Sequence, residues 1–186
     1  MPRIDPLDTD AAPPDARAAA EAHVHNHARM TNMKRTLLHS LPAFKALMEW
    51  YPVRDTVQPF LGERLTTLFA HAISAETDCL ICSTFFRRML IQTGENPERL
   101  KLDDREAAVI AFGRALAVSP FKVPQPVYQR LEDFFLPAQI VALTAFGAMM
   151  VATNVVNNAL DVELDEYLLP YRKGVRESAA VAGERS

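Results

Sequence analysis

A chain of 186 residues is long enough for one domain with a hydrophobic core and too short for two large domains. Its composition, 49% hydrophobic and 23% charged, is ordinary for a globular protein. A formal net charge of −3, with both signs mixed along the chain, gives no electrostatic reason to expect binding to nucleic acid or to an anionic membrane.

The chain begins with a polar, proline-rich and acidic segment that is unlike a secretory signal peptide. We expect residues 1–14 to form a disordered tail. The folded domain is predicted over 15–172, and a flexible carboxyl-terminal tail over 173–186. An alanine-rich helix begins near Pro14, because proline suits a first helical turn and alanine is the best helix former.

Three histidines in the motif HVHNH lie on this first helix. His23 and His27 are four residues apart and share one face, so together they could hold a metal ion weakly, whereas His25 faces elsewhere. A polar helix face explains the same pattern, and we predict no metal and no cofactor for the chain.

Further helices are indicated by apolar residues three and four apart, bounded by proline, glycine or acidic residues. They are predicted over 33–39, 42–50, 62–74, 79–94, 103–120 and 124–135, and from 137 onward. Pro52 and Pro59 interrupt the segment between the second and third of these. No alternating strand pattern and no Asn-Gly or Asp-Gly hairpin signal is present. The predicted fold is therefore all-α, a single-domain bundle of seven or eight helices.

The last of these helices is unusual because residues 138–160 carry no charge. The strongly apolar part ends near Ala152, which is short for a membrane span, and Asn154, Asn157 and Asn158 follow. We predict a buried helix that could lie at a subunit interface, where the asparagines could pair, and no membrane association.

Both cysteines of the chain lie in the stretch ETDCLICSTFF, residues 76–86. Cys79 and Cys82 could be half of a zinc site, two buried small residues, or a redox pair. A zinc site needs about four ligands, and the nearest histidine, His71, is not in a second ligand motif. The redox alternative depends on position, since Thr77 or Asp78 could cap a helix that begins at the first thiol.

A thiol in the first turn faces unpaired N–H groups and the positive end of the helix dipole, which favours Cys79 as the thiolate. Cys82 is one turn further on the same face, near enough to close a disulfide. Asp78 and Glu76 oppose this effect, because neighbouring negative charge raises the pKa of a thiol, although Glu76 could instead carry a proton.

These parts, in this order, resemble the alkylhydroperoxidase D-like branch of the carboxymuconolactone decarboxylase family. The resemblance covers roughly residues 30–170. It is carried by ERLTTLFAHAISAETDCLICSTFFRRMLIQTG, by the acid-started DDREAAVIAFGRAL, and by the apolar helix that ends in TNVVNNALDVEL.

The resemblance implies an oligomeric, all-helical subunit whose CxxC pair reduces peroxides or relays electrons. It also implies that Cys82 meets the peroxide and that Cys79 resolves the product, which conflicts with the dipole argument for Cys79. The family motif CxxCxxxH places a histidine where this chain has Phe86, and a glutamate where it has Thr67. The usual proton relay is therefore missing from its usual positions.

Glu63 and His71 lie on one stripe of the preceding helix, together with Thr67. We hypothesise a relocated relay, in which Glu63 orients His71 and His71 takes the proton of Cys82. The alternative is that Glu63 is a solvated first-turn acid and His71 a histidine of the core.

The sequence thus predicts a cytoplasmic thiol oxidoreductase, peroxidase-like, with an external dithiol reductant and a homo-oligomeric assembly. Two alternatives stay open. One is a lyase acting on a small organic acid, against which the cysteines count, and the other is a non-catalytic oligomer that keeps the fold. The absence of a histidine at position 86 favours the second alternative.

Overall fold

The computed structural model describes residues 1–27, 29–119 and 121–173, and these residues form helices and loops without any strand. The all-α prediction is confirmed. The helices are α1 (Pro14–Asn26), α2 (Asn32–Leu37), α3 (Leu41–Met48), α4 (Trp50–Leu61), α5 (Glu63–Glu76), α6 (Leu80–Gln92), α7 (Asp104–Ala117), α8 (Gln125–Glu132), α9 (Pro137–Ala159) and a 3₁₀-helix, Glu166–Tyr171. The tail predicted at 173–186 lies, from residue 174 on, outside the described residues.

Helix α5 is the centre of the fold and packs against α4, α6, α7 and α9. Most of its apolar side chains are buried, and so are small polar ones between them. Phe69 has no exposed surface, and its ring lies 6.4 Å from that of Phe112 and 5.9 Å from that of Phe146. These stacked rings join α5, α7 and α9, because large aromatic side chains contribute most to core packing.

Helix α9 is 23 residues long, and by length and composition alone it could cross a membrane. In the structure one side of it is in the core, where Leu143, Phe146 and Met150 are at most 1% exposed. The helix packs on α4, α5 and α7 in the manner of a core helix. The predicted subunit interface on its other side stays a prediction.

Helix α4 runs through both prolines that were expected to interrupt it. Pro52 lies in the first turn, where no N–H donor is required. Pro59 lies in the last turn, so its missing N–H costs only one hydrogen bond before Gly62 ends the helix with a φ of 81°. The prediction that these prolines break the segment was therefore wrong.

The amino-terminal segment, predicted to be disordered, lies along the domain in the structure. The N–H of Arg3 donates to the carbonyl of Leu160 at 3.0 Å, and that of Leu7 donates to the carbonyl of Arg35 at 3.3 Å. Ala12 is buried in a small second cluster of apolar residues. The division between tail and domain at residue 14 stays a prediction.

Candidate functional site

The two thiols lie at the junction of α5 and α6. The N–H of Cys79 donates to the carbonyl of Ser74 at 3.0 Å and that of Asp78 donates to the carbonyl of Ala75 at 3.3 Å, which together form the Schellman ending of a helix. Asp78 takes the left-handed conformation that this ending needs, with a φ of 50°. Cys79 is then the N-cap residue of α6.

This geometry corrects the expected cap. Neither Thr77 nor Asp78 caps α6, since Cys79 itself occupies the N-cap position. The hydroxyl of Thr77 donates back to the carbonyl of Ile73 at 3.0 Å and so belongs to the end of α5. The two helices share one tight junction, with Cys79 at its end and Cys82 one turn into α6.

An amide from α9 contacts both sulfurs. Nδ2 of Asn157 lies 3.3 Å from Sγ of Cys82 and 3.8 Å from Sγ of Cys79. Asn154 donates to the hydroxyl of Thr77 at 2.8 Å, and Asn158 donates to the carbonyl of the same residue at 2.9 Å. The three asparagines, expected to pair across a subunit boundary, therefore bind the thiol junction of their own chain.

The two cysteines are free thiols with opposite pKa shifts. The pKa of Cys79 is lowered, chiefly because the Cys82 thiol donates a hydrogen bond to it, and further by the N–H groups at the start of α6 and by the Asn157 amide. The pKa of Cys82 is raised, because its proton is held in that hydrogen bond and because the group is buried. Of the two thiols, Cys79 is therefore the one that loses its proton more readily, and Cys82 keeps its proton in the hydrogen bond between them.

A cavity of about 270 Å³ lies beside this pair. Cys82 lines it and Cys79 does not, so a small molecule in the cavity meets only the second cysteine. Most of the wall is apolar or aromatic. Its aromatic side chains are Trp50, Tyr51, Phe85, Phe86, Phe146 and Tyr167.

The cavity wall also holds a polar group that the sequence analysis missed. Lys34 of α2 is 6% exposed, and its Nζ donates to Oη of Tyr51 at 3.0 Å and to the carbonyl of Arg29 at 3.2 Å. Burial lowers the pKa of Lys34 to about 8, while the negative charge of Asp165 partly opposes that shift. Arg54 and Asp165 line the same cavity.

Neither Glu63 nor His71 of the predicted relay lines the cavity beside Cys82. Thr67 and Phe86 line the cavity, as expected of the positions where the family has its glutamate and histidine. Glu63 is exposed at the start of α5, and His71 is not among the lining residues. The pKa of His71 is lowered to about 4 by burial and by the positive charge of Arg87. His71 is partly buried, and the relay stays a prediction.

The histidines in the motif HVHNH do not all lie on a polar, solvated helix face. His23 is 5% exposed and packs edge-on against Phe44, with ring centres 5.7 Å apart. His27 stacks on Tyr51 at 4.0 Å, and His25 is exposed. Within the described ranges no three metal-ligating side chains come together.

The fold is similar to those of several solved structures. An alkylhydroperoxidase AhpD core protein from Ralstonia eutropha JMP134, described as peroxidase-related, has a TM-score of 0.73 at 18% identity over 91% of this chain and 95% of its own. The debrominase Bmp8 has the same score and identity over 89% of this chain and 93% of its own. A cysteine-to-alanine variant of Bmp8 has been solved with 2,3,4-tribromopyrrole.

A peroxidase-related protein from Silicibacter sp. TM1040 has a TM-score of 0.65 at 15% identity over 88% of this chain and 93% of its own. At such identities the likeness concerns the fold alone. No protein-family model and no curated protein sequence matches the chain. The carboxymuconolactone decarboxylase part of the resemblance therefore stays a prediction.

Proposed function

Because the chain has the alkylhydroperoxidase D-like fold, we propose that it is a thiol-dependent oxidoreductase of the peroxidase type. Its cycle runs between the dithiol and the disulfide of Cys79 and Cys82. The observation that carries the proposal is the position of Cys82 on the wall of a cavity, with Cys79 in hydrogen-bond contact behind it. A nucleophile and a resolving thiol need this arrangement.

The thiol pair supplies its own base in the first step. Cys79 begins as the thiolate and takes the proton of Cys82 along their hydrogen bond. The Cys82 sulfur then attacks the terminal oxygen of a hydroperoxide ROOH, and the O–O bond breaks. Cys82 becomes a sulfenic acid, and the leaving alkoxide takes the proton from Cys79 to become the alcohol ROH.

Cys79, again a thiolate, attacks the sulfur of the Cys82 sulfenic acid and displaces hydroxide. A disulfide forms, and the peroxide has been reduced by two electrons. The amide of Asn157 stays within contact of both sulfurs and stabilises negative charge on either one. An external dithiol then reduces the disulfide, which suits the reducing cytoplasm that we propose as the location.

Single serine variants test the cycle. With cumene hydroperoxide as oxidant, the wild-type chain is expected to lose both free thiols and to regain them with dithiothreitol. Cys82→Ser should consume no peroxide. Cys79→Ser should stop at a sulfenic acid that dimedone traps on Cys82. Loss of the peroxide reaction in Cys79→Ser with full activity in Cys82→Ser would reverse the two roles, and thiols inert in the wild type would refute the proposal.

The relay through Glu63 and His71 makes a different prediction from the proton exchange between the thiols. If the relay operates, His71→Ala slows oxidation of Cys82 and moves its pH profile. If the proton of Cys82 passes to Cys79 instead, the rate of Cys82 oxidation and its pH profile both stay as in the wild type. Besides burial, charged groups shift the pKa of His71, and neither thiol is among them, which favours the second result. These groups are Arg87, Glu98, Arg114 and Lys173.

A second candidate is reductive dehalogenation of an aromatic ring, favoured by the aromatic wall of the cavity. In that reaction Cys82 attacks the halogen, the ring carbanion takes a proton, and Cys79 displaces halide to form the same disulfide. Bromide release from 2,3,4-tribromopyrrole, with one disulfide formed per bromide, would identify it. The lyase and the non-catalytic oligomer predict neither oxidation of the thiols nor bromide release.

A further inference from the structure

Two hydrogen-bond donors on the cavity wall are left for a ligand. The ammonium group of Lys34 has three N–H donors, of which Tyr51 Oη and the Arg29 carbonyl accept two. Tyr51 accepts the bond from Lys34, and its own O–H has no acceptor among the described residues. The two donor atoms are 3.0 Å apart, and both residues line the cavity.

The charges around these donors leave Lys34 without an ion-pair partner. Within the part of the chain that the structure describes, no carboxylate lies at ion-pair distance from its Nζ. Asp165 lies near enough for its field to favour the charged ammonium group; its Oδ1 accepts the N–H of Asn32 at 2.9 Å, and its buried Oδ2 has no partner among the described residues. With Lys34 and Arg54 against one carboxylate, the charged residues of the wall sum to a positive charge.

The rest of the cavity suits an apolar body of limited size. Trp50, Phe86 and Phe146 lie in its wall, and Cys82 lies in the same wall. An apolar cavity of about 150 Å³ accommodates benzene, so one of 270 Å³ accommodates a substituted ring of roughly ten non-hydrogen atoms. A buried cation with a neighbouring phenol is costly to keep in such a wall unless an anion joins it.

We propose that the cavity binds a small aromatic carboxylate, with the two carboxylate oxygens on Lys34 and Tyr51 and the ring within reach of Cys82. Two donors 3.0 Å apart match the two oxygens of one carboxylate. The substrate would then be an aryl-substituted acid that carries its reducible group away from the carboxylate. This inference deepens the proposed function, on which it rests only for the role given to Cys82.

Trp50, the only tryptophan of the chain, lies in the cavity wall and reports on binding. The experiment titrates the Cys82→Ser variant with 3-phenylpropanoate and with the uncharged isostere 3-phenylpropanamide, and follows tryptophan fluorescence. We expect the acid to bind about tenfold tighter than the amide, since a hydrogen-bonded charge is worth roughly one power of ten. Because the reactive thiol is absent, this result does not depend on the redox cycle.

Variants at the donor pair complete the test. Lys34→Met should abolish the preference for the acid while the amide still binds, and Tyr51→Phe should reduce it. Lys45→Met, at an exposed lysine of α3, is the matched control and should keep it. Equal binding of acid and amide by the Cys82→Ser protein overturns the proposal, and this outcome does not require that Lys34→Met folds. A preference for the acid that survives in Lys34→Met overturns it as well. Peroxide reduction that fails while the preference stands refutes the redox cycle alone.

Discussion

Asn157 is the side chain through which α9 reaches the thiols. Its Nδ2 lies 3.3 Å from one sulfur and 3.8 Å from the other, whereas its Oδ1 is buried without a partner among the described residues. The donor stabilises a thiolate, and the unpaired oxygen costs folding free energy. This side chain therefore favours thiolate chemistry at the expense of stability.

The variant Asn157→Leu separates these two effects. It removes the donor, so the pKa of Cys79 should rise, and the pH midpoint of thiolate ultraviolet absorbance should move upward. The free energy of unfolding should stay the same or rise by up to about 1 kcal/mol, because the unpaired oxygen is lost as well. Asn158→Leu, whose amide binds a backbone carbonyl, is the control and should leave the midpoint in place.

Lys34 should have a measurable effect on how stability depends on pH. Burial lowers its pKa from 10.5 to about 8, so at neutral pH the folded state holds the charged form at a cost of about 3 kcal/mol. Between pH 8 and 10.5 the unfolded chain binds more protons at this residue than the folded chain does. The contribution of Lys34 to the free energy of unfolding therefore increases as pH rises through that window.

Urea unfolding checks this sign. In Lys34→Met the increase between pH 8 and 10 should be missing, and the free energy of unfolding at pH 7 should be higher by roughly 1 to 2 kcal/mol, because the lost hydrogen bonds offset part of the relief. His23 and Asp165 also face this lysine, and their ordinary pKa values of 6.5 and 3.8 lie below that window. Tyr51 has an ordinary pKa of 10.0, which burial raises, so it opposes the increase near pH 10 and does so in both proteins. A parallel pH dependence in both proteins would contradict the prediction.

The residues of the site differ in how far the sequence could identify them. Cys79 and Cys82 are the only thiols of the chain, and their spacing alone indicates paired chemistry. Asn157 lies 75 residues or more from the thiols, so only the packing of α9 on α5 brings its amide to them. Lys34 stands in the polar segment NMKRTL, where nothing distinguishes a buried lysine from a solvated one. Burial of such a residue depends on tertiary packing, which local pattern does not encode.

At the scale of elements, the junction of α5 and α6 depends on one backbone conformation. Asp78 has a φ of 50°, which costs a residue with a side chain roughly 1 kcal/mol relative to glycine. Because the N–H of Cys79 closes the end of α5, a change at Asp78 also moves the start of α6. The position of the Cys79 sulfur therefore depends on the backbone conformation of Asp78, the preceding residue.

Two substitutions at this residue should act in opposite directions. Asp78→Gly should raise the free energy of unfolding by about 0.5 to 1 kcal/mol and keep the rate of disulfide formation. Asp78→Val, a β-branched residue that resists this conformation, should lower stability by more than 1 kcal/mol and slow disulfide formation. Thermal unfolding and peroxide-driven thiol loss measure the two effects. Equal behaviour of both variants would show that the junction does not depend on residue 78.

Most helices were predictable because each buries one stripe of apolar residues spaced three and four apart. Helix α5 is the clearest case, and Gly94 ends α6 with a φ of 87°, as its position suggested. Helix α4 was not predictable in the same way. Its two prolines lie in the first and last turns, where they are tolerated, and sequence alone does not say where a turn will fall within a helix.

At the scale of the whole molecule, the exposed side of α9 carries an ordered pattern. Its small apolar residues alternate three and four apart along the helix, at Ala138, Val141, Ala145, Ala148, Ala152, Val155 and Ala159. Every one of them is exposed, and Val141 retains 69% of its surface. This is the spacing with which two helices pack along a seam. It supports the homo-oligomer that the sequence predicted.

A charge in this seam should prevent assembly without disturbing the subunit. Ala148→Glu places a carboxylate at its centre, and we expect light scattering after size-exclusion chromatography to give a mass near that of one chain. Ala111→Glu adds the same charge at an exposed position of α7 and should leave assembly as in the wild type. An unchanged mass in both variants would place the contact between subunits elsewhere.

The unequal accessibility of the two sulfurs also has a consequence for the return half of the proposed cycle. Cys79 has no exposed surface, so a reductant arriving from solvent can bond only to Cys82. The departing sulfur is then Cys79, whose lowered pKa makes it the better leaving group. In that cycle the difference in environment between the two sulfurs makes Cys82 the one that reacts with both the oxidant and the reductant. The mixed disulfide with the reductant should therefore form on Cys82 alone.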